Sequence, residues 1–188
     1  MGKGILTDST SLRWQSDCQK YTVRLSNACF LKMMEMAQAH APKEVGTSLI
    51  GCYSDDGFEA FVIDLAPLSS DSKGSRISFY RGIAGLREFF IKLRQTFRGK
   101  RHYVGEWHSH PDAAPLPSQR DDRQQLAIAK DTNTACPECI LIVIGHALSN
   151  ADEMGVFVYS RKRGRILLAP AHQSESIRNS RTSVQLQN

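Results

Sequence analysis

Apolar and polar side chains alternate near the start of the chain and then recur at helical spacing. The alternation from Tyr21 to Leu25 predicts a short strand. Ser26 or Asn27 fits the N-cap of a following helix that ends near Pro42, and we expect its methionine-rich stripe to pack in the core. Further strands are predicted at 44–51, 58–65 and 77–80, with a turn at 55–57 and a polar loop at 69–74.

In the second part of the chain, apolar residues again change between helical spacing and the alternation typical of strands. Apolar residues recur at helical spacing from Leu86 to Phe97, which predicts a helix that Gly99 terminates. Next come a strand from His102 to Trp107, a proline-rich loop at 111–118, a helix from Ser118 to about Lys130, and strands at 139–145, 155–159 and 166–168. This order of elements predicts a mixed α/β fold in which several neighbouring strands pair antiparallel.

Length and composition favour one soluble domain. The chain has 188 residues, of which 41% are hydrophobic and 23% charged, enough to bury a sizeable core. We place the domain at residues 20–170, after an N-terminal segment at 1–19 and before a polar tail at 171–188 that we expect to be disordered. The first twenty residues are charged, and the longest apolar run, Ile140–Ile144, is too short for a membrane span. We therefore expect a cytoplasmic protein with no membrane contact.

Basic residues cluster at two places, and the formal net charge is +5. The clusters lie at 94–101 and 161–165, but no nucleic-acid-binding pattern accompanies them. We therefore interpret them as a solvated face or as a surface for an acidic protein partner, rather than as a nucleic-acid site. The five cysteines are scattered and do not suggest a disulfide framework. Cys136 and Cys139 form a lone CxxC pair, which is weak support for a metal site.

The residues that indicate chemistry lie between His108 and Asp121. His108 and His110 are two apart on a predicted strand, so both imidazoles point to the same face. Asp121 lies one turn into the next predicted helix, and the intervening loop is long enough to bring it back to the histidines. Two histidines and one carboxylate, with a fourth position left open, are the usual ligand set of a catalytic zinc site.

The complete spacing resembles a known family. His-x-His, seven residues, Ser118, two residues and Asp121 match the motif of the JAMM (MPN+, JAB-type) metalloproteases, and Glu44 before a glycine-flanked apolar run matches that family's upstream glutamate. The resemblance implies a cytidine-deaminase-like central β-sheet flanked by helices. It also implies one catalytic Zn²⁺ held by His108, His110 and Asp121, with zinc-bound water as the attacking group. In the same scheme Glu44 is the general base and Ser118 donates to the oxyanion.

Other interpretations of these residues remain open. Ser118 and Asp121 also satisfy the pattern of a helix capping box. Glu44 taken alone could be half of a surface ion pair. Glu106 shares a strand face with His108, so it is a second candidate for the base, a residue that orients a ligand, or a substrate contact.

The family resemblance also implies a substrate class. JAMM enzymes remove ubiquitin or ubiquitin-like modifiers, and this chain is most similar to the deconjugating peptidase of bacterial CBASS anti-phage operons. That similarity implies an isopeptidase acting on the C-terminal tail of a ubiquitin-like modifier or of a cGAS-like nucleotidyltransferase joined to a target, and a ubiquitin-transfer-like enzyme as partner. We expect Ser75, Ile77 and Phe79, with the 111–117 loop, to form the walls of the tail groove. The alternatives are a sulfur-carrier-processing JAMM peptidase and a zinc hydrolase of a small amide.

Overall fold

The computed structural model describes residues 11–134, 136, 138–145 and 154–171. The three helices are α1 (Asn27–His40), α2 (Leu86–Phe97) and α3 (Gln119–Lys130). The strands are β1 (Ser11–Gln15), β2 (Thr22–Ser26), β3 (Gly46–Tyr53), β4 (Glu59–Leu65), β5 (Lys73–Gly74), β6 (Phe79–Tyr80), β7 (His102–Ser109), β8 (Glu138–Ile144), β9 (Met154–Ser160) and β10 (Gly164–Pro170). Most predicted elements are present within a few residues of their expected bounds.

Eight of the strands form one sheet that closes on itself. Their order is β1-β10-β9-β8-β7-β3-β4-β2, and β1 pairs antiparallel with both β10 and β2. The pairs β2–β4 and β7–β8 are parallel, while β5 and β6 form a separate two-stranded ribbon. The predicted mixed α/β fold with a central sheet and flanking helices is confirmed, but the closure of the sheet was not predicted.

The apolar run in β8 is buried on both faces of the sheet. Ile140, Ile142 and Ile144 point into the main core, which also contains Trp14 and Trp107. Their neighbours on the other face, together with residues of β9, pack beneath α3 in a second cluster. Burial on both faces explains why this segment is continuously apolar rather than alternating. Each such side chain contributes about 1.5–3 kcal/mol when it is fully buried.

The helices pack against the sheet where their sequence patterns predict an apolar face, α1 on the side of the main core and α2 and α3 in two separate clusters. Ser26 is the N-cap of α1, since its hydroxyl accepts a hydrogen bond from the Cys29 amide, and Met33 is fully buried. Helix α2 packs its aromatic residues against a small cluster around Ile50. The predicted start of α3 at Ser118 is also confirmed, because Ser118 is its N-cap.

Three features of the structure differ from the predicted elements. Strand β1 lies before the expected domain start at residue 20; five residues are too few for a convincing alternation, and its partners are distant in the chain. Glu44 lies two residues before β3 rather than on a strand, because its amide bonds to the Ser75 carbonyl at 2.8 Å. The strand predicted at 77–80 is reduced to β6, which pairs with β5 inside the predicted polar loop.

Both chain ends lie outside the described residues. The expected disordered tail falls almost entirely on residues 172–188, and residues 1–10 belong to the predicted N-terminal segment. Among the described residues, none of the helices has the length and apolar character that crossing a membrane requires.

Candidate metal centre

The end of β7 brings the two histidines together. His108 lies on the strand and His110 immediately follows it, where its amide donates to the Ile144 carbonyl at 2.7 Å. The two Nε2 atoms are 3.0 Å apart. His110 Nδ1 lies 3.2 Å from the Ala114 carbonyl, which can only accept, so Nδ1 carries the proton. The Nε2 lone pair of His110 is therefore directed toward His108.

The first turn of α3 supplies the carboxylate. Asp121 Oδ2 lies 3.6 Å from His108 Nε2 and accepts hydrogen bonds from the Ser118 amide at 2.8 Å and the Ser118 hydroxyl at 2.6 Å. The Asp121 amide in turn donates to Ser118 Oγ at 3.2 Å, which completes a capping box. The neighbouring Asp122 pairs with Arg165 at 2.9 Å, so this turn is also tied to β10.

These three side chains fit a small divalent cation. One ligand atom from each of His108, His110 and Asp121 lies within 4.8 Å of the other two, and no other such group occurs in the described part of the chain. Ligand atoms about 2.0–2.1 Å from a tetrahedral zinc ion are about 3.3 Å apart, which is close to the 3.0 and 3.6 Å measured here. Burial lowers the pKa of His108 to about 4, so its ring is neutral and can act as a ligand at neutral pH.

Glu44 is placed beside this group by contacts from a distant part of the chain. Ser109 Oγ accepts from the Val45 amide at 3.1 Å, which holds the residue after Glu44 against the end of β7. Gly46 is required there, because a Cβ atom at this position would lie 2.1 Å from the Trp107 carbonyl oxygen. Glu44 Oε1 consequently lies 4.0 Å from His110 Nε2.

The two candidate bases have different surroundings. Glu44 is 8% exposed, and its pKa is raised to about 7 by burial and then by the Asp121 charge. Glu106 is 5% exposed, and its carboxylate is held by Arg81 Nε at 3.3 Å and Ser48 Oγ at 3.4 Å. Burial raises the pKa of Glu106, although Arg81, Tyr103 and Ser48 oppose the shift. Glu44 is the carboxylate that faces the histidines.

The three candidate metal ligands line a groove formed by two adjoining cavities of about 270 and 260 Å³, which we call the catalytic groove. Glu44, Phe79, Arg120 and Asp121 line both cavities. The segment 76–81 forms one wall, and its Arg76 pairs with Asp112 of the 111–117 loop at 2.8 Å. The groove is therefore bounded by the two segments that the sequence analysis proposed.

The predicted CxxC pair has a different environment. Cys136 and Cys139 are both buried, and the Cys139 thiol donates to Gln125 Oε1 at 3.1 Å. Within the described residues, neither cysteine belongs to a group of ligand atoms that could hold a metal ion. The pair packs in the core beneath α3.

Comparison with known proteins identifies the family. A family model described as prokaryotic homologs of the JAB domain matches residues 26–160. The chain belongs to this family. The CD-NTase/cGAS isopeptidase of Enterobacter hormaechei subsp. hoffmannii (strain UCI 50) is 33% identical to this JAB domain over 132 residues, which make up 70% of this chain and 72% of that protein. The resemblance drawn from the motif spacing is therefore confirmed.

Solved structures resemble this JAB domain at lower identity. The solution structure of protein DSY2949 from Desulfitobacterium hafniense matches with a TM-score of 0.51 and 22% identity, over 76% of this chain and 87% of that one, which is a likeness of fold. The crystal structure of AF2198, a JAB1/MPN domain protein from Archaeoglobus fulgidus, has a TM-score of 0.41 and 16% identity over 75% and 90% of the two chains, a score too low to bear on the fold.

The residues expected to contact substrate lie in three different places in this JAB domain. Ile77 and Phe79 line the catalytic groove, and Glu106 lies at its floor with its carboxylate bonded to protein groups. Ser75 lies behind the wall, where its hydroxyl contacts Ser78 at 2.8 Å and its carbonyl accepts from the Glu44 amide.

Sequence patterns did not single out Arg81 or Arg120, although both line the catalytic groove. Arg120 occupies a variable position inside the Ser118–Asp121 motif, and Arg81 directly follows a predicted strand. Its place inside the motif was therefore the one signal available for Arg120, and its place after a predicted strand was the one signal for Arg81.

Proposed function

We propose that this chain is a zinc-dependent isopeptidase. It hydrolyses the amide bond that follows the C-terminal tail of a ubiquitin-like modifier, or of a CD-NTase/cGAS-like nucleotidyltransferase joined to a target protein. The observation that carries the proposal is the placement of Glu44 beside the cluster of His108, His110 and Asp121, at the floor of an open groove. Family membership and the isopeptidase named as a relative support the same class of reaction.

His108, His110 and Asp121 are the residues that hold the metal ion. When bound, zinc supplies Lewis acidity, which activates water and polarises an amide carbonyl. The chain prepares its ligands for this role in two ways. Burial keeps His108 unprotonated, and the Ala114 carbonyl fixes the tautomer of His110.

Glu44 is the proton carrier of the reaction. Its carboxylate is buried on one side and faces His110, so it can accept a proton from attacking water and return it to the leaving amine. The raised pKa of Glu44, about 7 without a cation nearby, suits a group that must both accept and release a proton near neutral pH. Rate effects of a positioned base are typically about a hundred- to ten-thousandfold.

The shape of the catalytic groove suits an extended peptide tail. Phe79 belongs to the short ribbon strand β6 and lines both cavities, so the wall offers strand edge and apolar surface together. Ile77 is 88% exposed at the same wall. A tail that enters between this wall and the 111–117 loop passes over Glu44 and the metal ligands.

The direct experiment uses zinc-loaded protein and a CD-NTase/cGAS-like nucleotidyltransferase joined through its C-terminus to a lysine of a target protein. We expect release of the two proteins with new termini at the isopeptide bond, measured by gel shift and intact mass. Glu44→Gln is the matched control, because it keeps the size of the side chain but cannot accept the proton.

The outcome separates the competing functions. Cleavage of a sulfur-carrier or ubiquitin-like fusion but not of the nucleotidyltransferase conjugate would change the substrate and keep the reaction. Hydrolysis of small amides alone would favour a small-molecule hydrolase. No hydrolysis of any of these amides by zinc-loaded protein would contradict the proposal.

A further inference from the structure

A cavity of about 740 Å³ lies away from the metal ligands, between α2, the start of β7 and the C-terminal end of α3. We call it the arginine cavity, after Arg81, Arg94 and Arg101, which line it. Apolar and aromatic side chains, including Phe90, Tyr103 and Ile128, form much of the remaining cavity wall. It is larger than either cavity of the catalytic groove.

The charge of the arginine cavity has one sign. Among the described residues that line it, none is acidic. Within the described chain, Arg94 and Arg101 form no ion pair with a carboxylate, and Arg101 stacks on Phe97 at 4.1 Å. Asp131 lies two residues before Asn133, which lines the cavity, but its carboxylate accepts hydrogen bonds from the Asn133 amide and the Thr134 hydroxyl.

The arginine cavity adjoins the catalytic groove through one side chain. Arg81 lines both, and its guanidinium is held by Glu106 at 3.3 Å and by Ser48 Oγ at 3.1 Å. A protein with its tail in the catalytic groove can therefore reach the arginine cavity with a neighbouring segment. Among the lining residues, Arg81 is the one that the two sites share.

We propose that the arginine cavity binds an acidic segment of the protein substrate, anchored by an apolar side chain. This inference rests on the proposed isopeptidase function for the identity of the partner. Apolar walls favour burial of an apolar side chain, and arginines pair with carboxylates through two parallel hydrogen bonds. A nucleic acid would instead require a continuous basic track with bases stacked on exposed rings, whereas here the aromatic groups lie inside a concave site.

The test measures binding without catalysis. The probe is a fluorescein-labelled eight-residue peptide of Asp and Glu with one Phe and one Leu, titrated with the full zinc-loaded chain at about 0.1 M salt and followed by anisotropy. We expect saturable binding that weakens at least about tenfold in Arg94→Glu/Arg101→Glu. Arg87→Glu/Lys92→Glu is the matched control, because it makes the same change of charge on exposed residues of α2 outside the cavity.

Three further measurements test the apolar anchor, the folding of the charge-reversed variant and the nucleic-acid alternative. Replacing Phe and Leu of the peptide by Ser should weaken binding at least about tenfold, because burial of the two side chains is lost. If the double charge reversal lowers the melting temperature, Arg94→Gln/Arg101→Gln removes the charges without placing acids at the end of α2. An oligothymidine of similar charge should bind more weakly than the peptide and without dependence on Arg94.

The inference is overturned if the peptide does not saturate below about 1 mM, or if the control pair weakens binding as much as the cavity pair. Tighter binding of the oligothymidine, lost in the cavity variant, would assign the site to nucleic acid. Cleavage of a short tail peptide by the same variants is measured separately and should be unchanged. Failure of the wild type to cleave the tail peptide would contradict the proposed isopeptidase function. Failure to bind the acidic peptide would contradict only the proposed docking site.

Discussion

Ser118 offers the sharpest test of how the first turn of α3 serves the metal centre. Its hydroxyl accepts a hydrogen bond from the Asp121 amide and donates one to Asp121 Oδ2. The proposed catalytic role assigns the same hydroxyl to the oxyanion of the reaction. Because the hydroxyl has one proton, it would have to turn from Asp121 Oδ2 to the oxyanion during the reaction. The substitution Ser118→Ala removes both donations and the helix cap, so its effects on stability, metal binding and turnover must be measured separately.

The expected magnitudes differ among the three effects. Loss of the N-cap costs about 1 kcal/mol, which corresponds to a fall in melting temperature of about 2–4 °C for a chain of this size. In Ser118→Ala, Asp121 Oδ2 keeps the hydrogen bond from the backbone amide of residue 118, 2.8 Å in the wild type, but loses the one from the hydroxyl, 2.6 Å long. We therefore expect zinc affinity to fall about 10–100-fold. Loss of an oxyanion donor lowers kcat about a hundred- to a thousandfold.

The assay uses two variants that divide these effects. Glycine is accepted at an N-cap with a cost of only a few tenths of a kcal/mol, so Ser118→Gly removes the hydroxyl while most of the helix stability remains. We expect Ser118→Ala and Ser118→Gly to share the loss of kcat at saturating zinc, and Ser118→Ala to melt at the lower temperature. Stability is measured by thermal unfolding of metal-free protein, and turnover on the nucleotidyltransferase conjugate.

One result would refute this assignment. If Ser118→Ala turns over at close to the wild-type kcat once zinc is saturating, the hydroxyl acts only as a helix cap and as a support for Asp121. The oxyanion role would then be wrong, while the metal centre and the capping box would stand.

Three further predictions concern the carboxylates and the metal ligands. Glu44→Gln should retain zinc and lose at least about a hundredfold in kcat. Glu106→Gln should mainly raise KM, because the Glu106 carboxylate holds Arg81 at the groove wall. If Glu106→Gln is inactive and Glu44→Gln remains active, Glu106 is the base and Glu44 is not. His108→Ala should lose both zinc and activity, measured by elemental analysis and conjugate cleavage, and chelation of wild type should abolish activity without unfolding the domain. Burial raises the pKa of Glu44 from 4.5 to about 7, so the free energy of unfolding of metal-free wild type should fall relative to that of Glu44→Gln as the pH rises from about 4.5 to above 7. Urea unfolding that gives the same difference in free energy at every pH would contradict this.

Short-range patterns predicted the parts of this protein that depend on neighbouring residues. The His108-x-His110 spacing predicted that both imidazoles point to one side, and their Nε2 atoms lie 3.0 Å apart at the end of β7. The hydroxyl of Ser118 caps α3 because its partner, Asp121, is only three residues away. Such interactions are present in any chain segment that adopts the local conformation, so the spacing of residue types is enough to indicate them.

The tertiary structure decided everything that depends on contacts between distant segments. Ser109 holds Val45 across 64 positions of the chain, and this contact places Glu44 beside His110 rather than on a strand. Closure of the sheet by β1 and the position of Arg81 between two cavities arise in the same way. By itself, then, the sequence indicated the family and the helices, and it predicted a set of metal ligands, a base and two groove walls. The fold was needed to show that Glu44 lies beside the histidines and to reveal the arginine cavity, because no local period encodes which distant residues will meet.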